Sequence, residues 1–153
     1  MISYGFRKIT VREMWVKQVG PFQRNDVRPS AMAVEAGIDH VRLLYDYLDR
    51  GDLAGYGSLL DARVRIQHAD ATVTDGRAAA GEAADRLPAL HGSHRIHRIL
   101  RDSDTIVVTG RFIRSHTSAT DTRTPPAVEF ADFFLISRDG LLLSWHRYHA
   151  RAT

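Results

Sequence analysis

Apolar residues recur at helical spacing from Val34 onward. Val34, Ile38, Val41, Tyr45 and Leu48 form a single stripe that predicts a helix running to about Arg50. Gly51-Asp52 ends that pattern, and Asp52 is suited to cap a second, shorter helix carrying Leu53, Tyr56, Leu59 and Leu60. The period then drops to two. Val64, Ile66 and His68 alternate with Arg63, Arg65 and Gln67, which predicts a half-buried strand. A short strand at Thr72-Val73-Thr74 and an Asp75-Gly76 turn lead into an alanine-rich third helix ending near Pro88. Four strand-like segments follow at about 93–101, 105–116, 127–137 and 141–150. Asp139-Gly140 between the last two signals a tight hairpin, and a polar connection with Pro125-Pro126 occupies 116–126. In 93–101 both faces mix polar and apolar residues, so alternation alone assigns neither to the core.

Helices first and a run of strands afterwards is the order of an α+β domain with an antiparallel sheet. Residues 1–31 lack periodicity and contain Gly20-Pro21 and Arg28-Pro29, which marks them as a flexible extension before a domain at 32–153. A chain of 153 residues, 44% hydrophobic and 25% charged, suits one folded core. The net charge of +3 arises in the extension, which holds six basic and two acidic residues, so the domain is nearly neutral and lacks the basic face of a nucleic-acid binder. Cysteine is absent, which removes disulfides and thiolate chemistry. No apolar stretch approaches a membrane span, and a cytoplasmic location is expected. Without a glycine-rich phosphate loop or dinucleotide fingerprint, no cofactor is expected.

Several residues carry candidate chemistry. Asp132 shares a strand face with Phe130 and Phe134, and a carboxyl desolvated between aromatics becomes a better acid or hydrogen-bond donor. His68, on the face of Val64 and Ile66, suits a general base. Trp145, Arg147 and His149 share one face of the last strand; the arginine or histidine could stabilise an enolate or carboxylate, and Trp145 could form an apolar wall. Val108, Gly110 and Phe112 suit a ligand-facing wall, with Gly110 leaving room, although core packing explains them equally well. His94/His97 and His146/His149 are three apart, so on strands they point to opposite faces, and no metal site is expected.

The order of elements resembles the nuclear transport factor 2-like fold, and within it SnoaL-like polyketide cyclases and ketosteroid isomerases. The likeness is carried by "LDRGDLAGYGSLL", "DGRAAAGEAA" and "ADFFLISRDGLLLSWHRYH" and covers about residues 34–150. It implies a curved sheet packed against three helices and enclosing a conical pocket. It sets His68 in place of the isomerases' proton-transferring carboxylate and Asp132 in place of their oxyanion-donating acid, and puts the partner phenol at Leu44, where it is missing. It also implies that Tyr45, Phe130, Phe134 and Trp145 face the pocket and that His91 lies near its mouth. The activity implied is a cofactor-independent cyclase or isomerase moving a proton on a small apolar, polyketide-like carbonyl compound. A dehydratase or epoxide hydrolase using the same pocket, and a non-catalytic ligand-binding or dimerisation module, are the alternatives. Phe133, Leu135 and Tyr148 on the opposite sheet face suggest a homodimer.

Overall fold

The computed structural model describes residues 28–115 and 126–150. Nearly all of the expected N-terminal extension and most of the 116–126 connection lie outside the described residues.

Helix α1 spans Ala31–Arg50, and its buried positions Val34, Val41, Tyr45 and Leu48 are the predicted stripe. Ser30 caps its start by accepting from Ala33 N, and Gly51 ends it in the left-handed region at φ 68°, its N–H turned back to Leu48 O. Helix α2 (Leu53–Ser58) starts at Asp52, whose Oδ1 accepts from Gly55 N at 2.8 Å. Strand β1 is Leu60–Gln67 and β2 is Val73–Asp75. Helix α3 (Arg77–Ala83) is shorter than the sequence suggested, and two 3₁₀ turns, Ala84–Arg86 and Pro88–Leu90, complete the path past Pro88. Strands β3 (Gly92–Asp102), β4 (Thr105–Arg114), β5 (Ala127–Ile136) and β6 (Leu142–His149) follow.

The six strands lie in the order β2-β1-β6-β5-β4-β3. Every neighbouring pair is antiparallel except β1 and β6, which run parallel, so the sheet is mixed where an antiparallel one was expected. Hairpin signals, which the sequence supplies for the later strands, cannot report a pairing between the first long strand and the last.

Helix α1 lies across β3, β5 and β6. Gly37 lets it approach closely, because a Cβ there would stand 2.7 Å from the Ile136 side chain. The β5–β6 connection is closed by Gly140 N to Ser137 O at 3.0 Å, with Gly140 at φ 78°. His40 of α1 then ties that turn to the helix through a 2.7 Å contact from Nδ1 to Gly140 O.

A bulge in β3 explains the undecided face. The β3–β4 register shifts between Ile96 and Arg98, so His94 and Ile96 stand opposite Phe112 and Gly110, whereas beyond the bulge Ile99 stands opposite Val108. One inserted residue reverses the parity of the inward positions, and neither parity is apolar throughout.

Candidate functional site

Strand alternation on β5 and β6 turns Phe130, Asp132, Phe134, Trp145 and Arg147 toward the helices, and the register sets Asp132 opposite Arg147. Arg147 meets Asp132 in a fork, Nε to Oδ1 at 2.8 Å and Nη2 to Oδ2 at 2.6 Å. Tyr45 of α1 donates its hydroxyl to Oδ2 at 2.8 Å. Asp132 has no exposed surface and Arg147 only 8%, so this is a buried ion pair completed by a phenol.

Two expectations change here. Both Asp132 oxygens are engaged as acceptors, leaving neither to donate to a substrate oxyanion. The resemblance puts a partner phenol at Leu44; the phenol that bonds Asp132 comes from Tyr45, one residue further along the helix. Burial first, and the Asp132 carboxylate second, push the Tyr45 phenol well above its ordinary pKa and keep it a donor. For Arg147, burial works against the charge, but Asp132 and its hydrogen bonds outweigh it, and the net shift is upward.

One helical turn beyond Tyr45, Asp49 reaches β3. Its Oδ2 accepts from His94 N at 2.9 Å, and its Oδ1 lies 2.6 Å from His94 Nδ1. A carboxylate can only accept, so in the neutral imidazole the proton belongs on Nδ1 and the lone pair on Nε2. The His94 side chain is fully buried, and Nε2 has no hydrogen-bond partner. Its ring centre lies 5.0 Å from that of Tyr45, 4.8 Å from Phe112 and 5.5 Å from Phe130. From Phe130 the contacts continue to the Arg147 guanidinium at 4.4 Å and from there to the Trp145 ring at 5.3 Å. Trp145 stacks on Phe134 at 5.9 Å, and Phe134 returns to Tyr45 at 6.3 Å. These groups form a continuous ring of contacts around the Asp132 carboxylate.

The other predicted site residues fall around or away from this ring. Val108 is buried opposite Asp132. Gly110 does not leave room for a ligand: a Cβ there would stand 2.9 Å from Phe130, whose ring fills the space, and 2.4 Å from Arg95 O. His91 is exposed. His149 pairs with Phe130 in register but is exposed; partial burial first, then Arg147 and Arg114, lower its pKa. His68 lies just past β1, and continuing the β1–β6 ladder by one residue sets it beside Arg147, roughly 10 Å from Asp132 by two strand spacings. Its Nε2 contacts Thr74 Oγ1 at 3.2 Å, and burial lowers its pKa, which favours the neutral form. Among the described residues, no three His, Asp or Glu side chains gather in a way that could hold a metal ion. Nor, among them, is any helix long and apolar enough to cross a membrane.

Sequence reasoning missed His94 and Asp49 as a pair. The available signal was an acidic residue in the last turn of α1, where the helix dipole disfavours it unless a partner is present.

A curved sheet covered by helices is the nuclear transport factor 2-like fold. The profile of the SnoaL-like domain matches residues 41–145, and the chain belongs to that family. No curated protein sequence matches it. Among solved structures it is similar to a protein described as a candidate ketosteroid isomerase from Kribbella flavida, with 19% identity, 78% of this chain and 81% of that one covered, and a TM-score of 0.62. An LEH-like epoxide hydrolase from M. tuberculosis aligns at 14% identity over 76% and 84% of the two chains, with a TM-score of 0.62. A Catenulispora acidiphila protein with a ketosteroid isomerase-like fold, in complex with trimethylamine, aligns at 19% identity over 73% and 85%, with a TM-score of 0.60. At these identities the likeness speaks for the fold.

Proposed function

We propose that the protein is a cofactor-independent enzyme that moves a proton on a small, largely apolar carbonyl compound, polyketide-like in character, in an isomerisation or cyclisation. The observation that carries this reading is the Asp49–His94 pair, whose Nε2 lone pair is buried and unmatched, its ring packed against Phe130, the same ring that the Arg147 guanidinium covers. His94 takes the proton from the carbon next to the carbonyl, the bonding pair moves onto the carbonyl oxygen as an enolate, and His94 returns the proton at another atom or to a newly formed alkoxide. Asp49 fixes the tautomer and offsets the imidazolium charge that forms. In this reading His94 replaces His68 as the base, and Asp132 holds Arg147 and Tyr45 in position. Dehydration and epoxide opening use the same base, on a C–H or on a water. A homodimer through the face of Phe133, Leu135 and Tyr148 and a cytoplasmic location remain parts of the proposal.

One observation favours a non-catalytic binding module instead: Asp132, Arg147 and Tyr45 satisfy one another and form a sound structural unit without chemistry. Deuterium incorporation into 2-tetralone in D₂O, followed by proton NMR, separates the two. An enzyme of the proposed kind exchanges the protons next to the carbonyl faster than buffer does and shows saturation; a rate equal to buffer, across a panel of cyclic ketones, supports the module.

A further inference from the structure

Trp145 is 3% exposed, and its indole Nε1 has no hydrogen-bond partner. An indole N–H can only donate, and leaving a buried donor unmatched costs about 1–3 kcal/mol, so folded proteins retain few of them. Nothing about the ring itself is loose. It stacks on Phe134 at 18° between planes, and the Arg147 guanidinium stands 5.3 Å from its centre. Arg147 in turn is fixed by Asp132 through Nε and Nη2, which leaves Nη1 outside that fork. Trp145 and Arg147 are two residues apart on β6 and face the same side. Both groups carry N–H donors, so an oxygen lying between them would accept from each at about 2.9 Å.

We propose that Trp145 Nε1–H and Arg147 Nη1–H together form the oxygen-binding site for the ligand, taking a carbonyl oxygen and, more strongly, the enolate oxygen it becomes. Asp132, set by the resemblance in place of the isomerases' oxyanion-donating acid, and Tyr45, which bonds it, are occupied with each other and with Arg147, so in this chain the oxygen site lies one strand over, on β6. The inference deepens the proposed proton-transfer chemistry and rests on it. It narrows the ligand to a compound whose oxygen accepts two hydrogen bonds while its acidic C–H meets His94. The indole donor adds a requirement of its own: it offers a ligand nothing to donate to, so an alcohol gains there only through its lone pairs.

The test uses 4-nitrophenolate, an aromatic oxyanion that reports its own binding by visible absorbance, with the full chain. Trp145→Phe keeps an aromatic ring against Phe134 and removes the donor with the five-membered ring that carries it, and the uncharged anisole reports any effect of the lost volume alone. Its affinity for the phenolate should fall about tenfold or more, while 4-nitroanisole, whose oxygen carries no charge, changes by less than about threefold. The chain has two tryptophans, so Trp15→Phe isolates the Trp145 indole proton in a ¹H–¹⁵N spectrum. Saturating phenolate should move that signal downfield, a readout that needs no substitution at the site. Equal phenolate affinity in wild type and Trp145→Phe, or an indole signal unmoved at saturation, overturns the oxygen site. The proton-transfer reading fails separately: it is refuted if the wild-type chain exchanges the protons of 2-tetralone no faster than buffer, a result that phenolate binding does not depend on.

Discussion

Removing the Asp132 carboxylate should damage the fold more than a catalytic residue's removal ordinarily does. Asp132→Asn keeps the shape but replaces one acceptor oxygen by an amide that points its hydrogens at a guanidinium or a phenol. Two hydrogen bonds from Arg147 and one from Tyr45 converge on the carboxylate, so at most one oxygen still accepts, and a buried guanidinium loses its counter-charge. Breaking such a pair costs about 3–5 kcal/mol, a large share of the ~5–15 kcal/mol that holds a domain together. For a domain near this size the melting temperature should fall by about 10 °C. The double variant Asp132→Leu/Arg147→Met removes both charges and should recover more than half of that loss, because a well-packed apolar pair needs no partner. Urea denaturation of Asp132→Leu, Arg147→Met, the double variant and the wild type completes the cycle, with Asp132→Asn measured beside it and tryptophan fluorescence as the probe. An Asp132→Asn protein within about 1 kcal/mol of wild type would refute the reasoning, as would a double variant less stable than either single one.

Burial lowers the pKa of His146 to about 4, the nearby Asp132 carboxylate acting weakly the other way. The unfolded chain therefore binds a proton that the folded one does not, and stability should fall as pH drops from about 6.5 toward 4, by up to about 2 kcal/mol; His146→Gln should flatten that slope in denaturation series at several pH values. Gly110→Ala puts a Cβ 2.4 Å from the Arg95 carbonyl, a backbone atom that cannot step aside without disturbing the β3–β4 ladder, so unfolding should ease by about 2–3 kcal/mol. Asp52→Ala removes the acceptor for Gly55 N and should cost about 1 kcal/mol, seen as a small drop in melting temperature with the near-ultraviolet spectrum intact. Sedimentation equilibrium should show a dimer at micromolar concentration, and a monomer throughout would remove the proposed interface at Phe133, Leu135 and Tyr148.

Much of the fold could be read from the chain because its signals are local. The stripe from Val34 to Leu48, the Gly51-Asp52 break and the alternation around Val64 each depend on neighbours a few residues away, and the first helix, the break and the strand formed where their patterns lay; Leu59 and Leu60, expected on the second helix, lie past its end, Leu60 opening β1. The β1–β6 pairing joins residues about eighty apart and leaves no local trace, so its parallel sense was invisible. Asp132 was legible as a buried carboxyl because aromatic residues flank it on its own strand. Its partners were not, since Tyr45 reaches it from 87 positions away and the helix elbow points to Leu44 instead. His94 was hidden by the bulge, which made its strand face unreadable, and by Asp49, whose relevance depends on how far α1 extends over β3.

The central claim is that the base is His94, held by Asp49, and it is tested most directly by comparing His94→Gln with His68→Gln in the 2-tetralone exchange experiment. His68 lies just past β1 and His94 on β3, and three strands separate β1 from β3 in the sheet, so their losses are independent. Loss of a general base typically lowers turnover about 10²- to 10⁴-fold. The account predicts a loss of that size in kcat for His94→Gln, with KM nearly unchanged, and less than about threefold for His68→Gln. Exchange that survives in His94→Gln and collapses in His68→Gln would contradict it and return the catalytic role to β1.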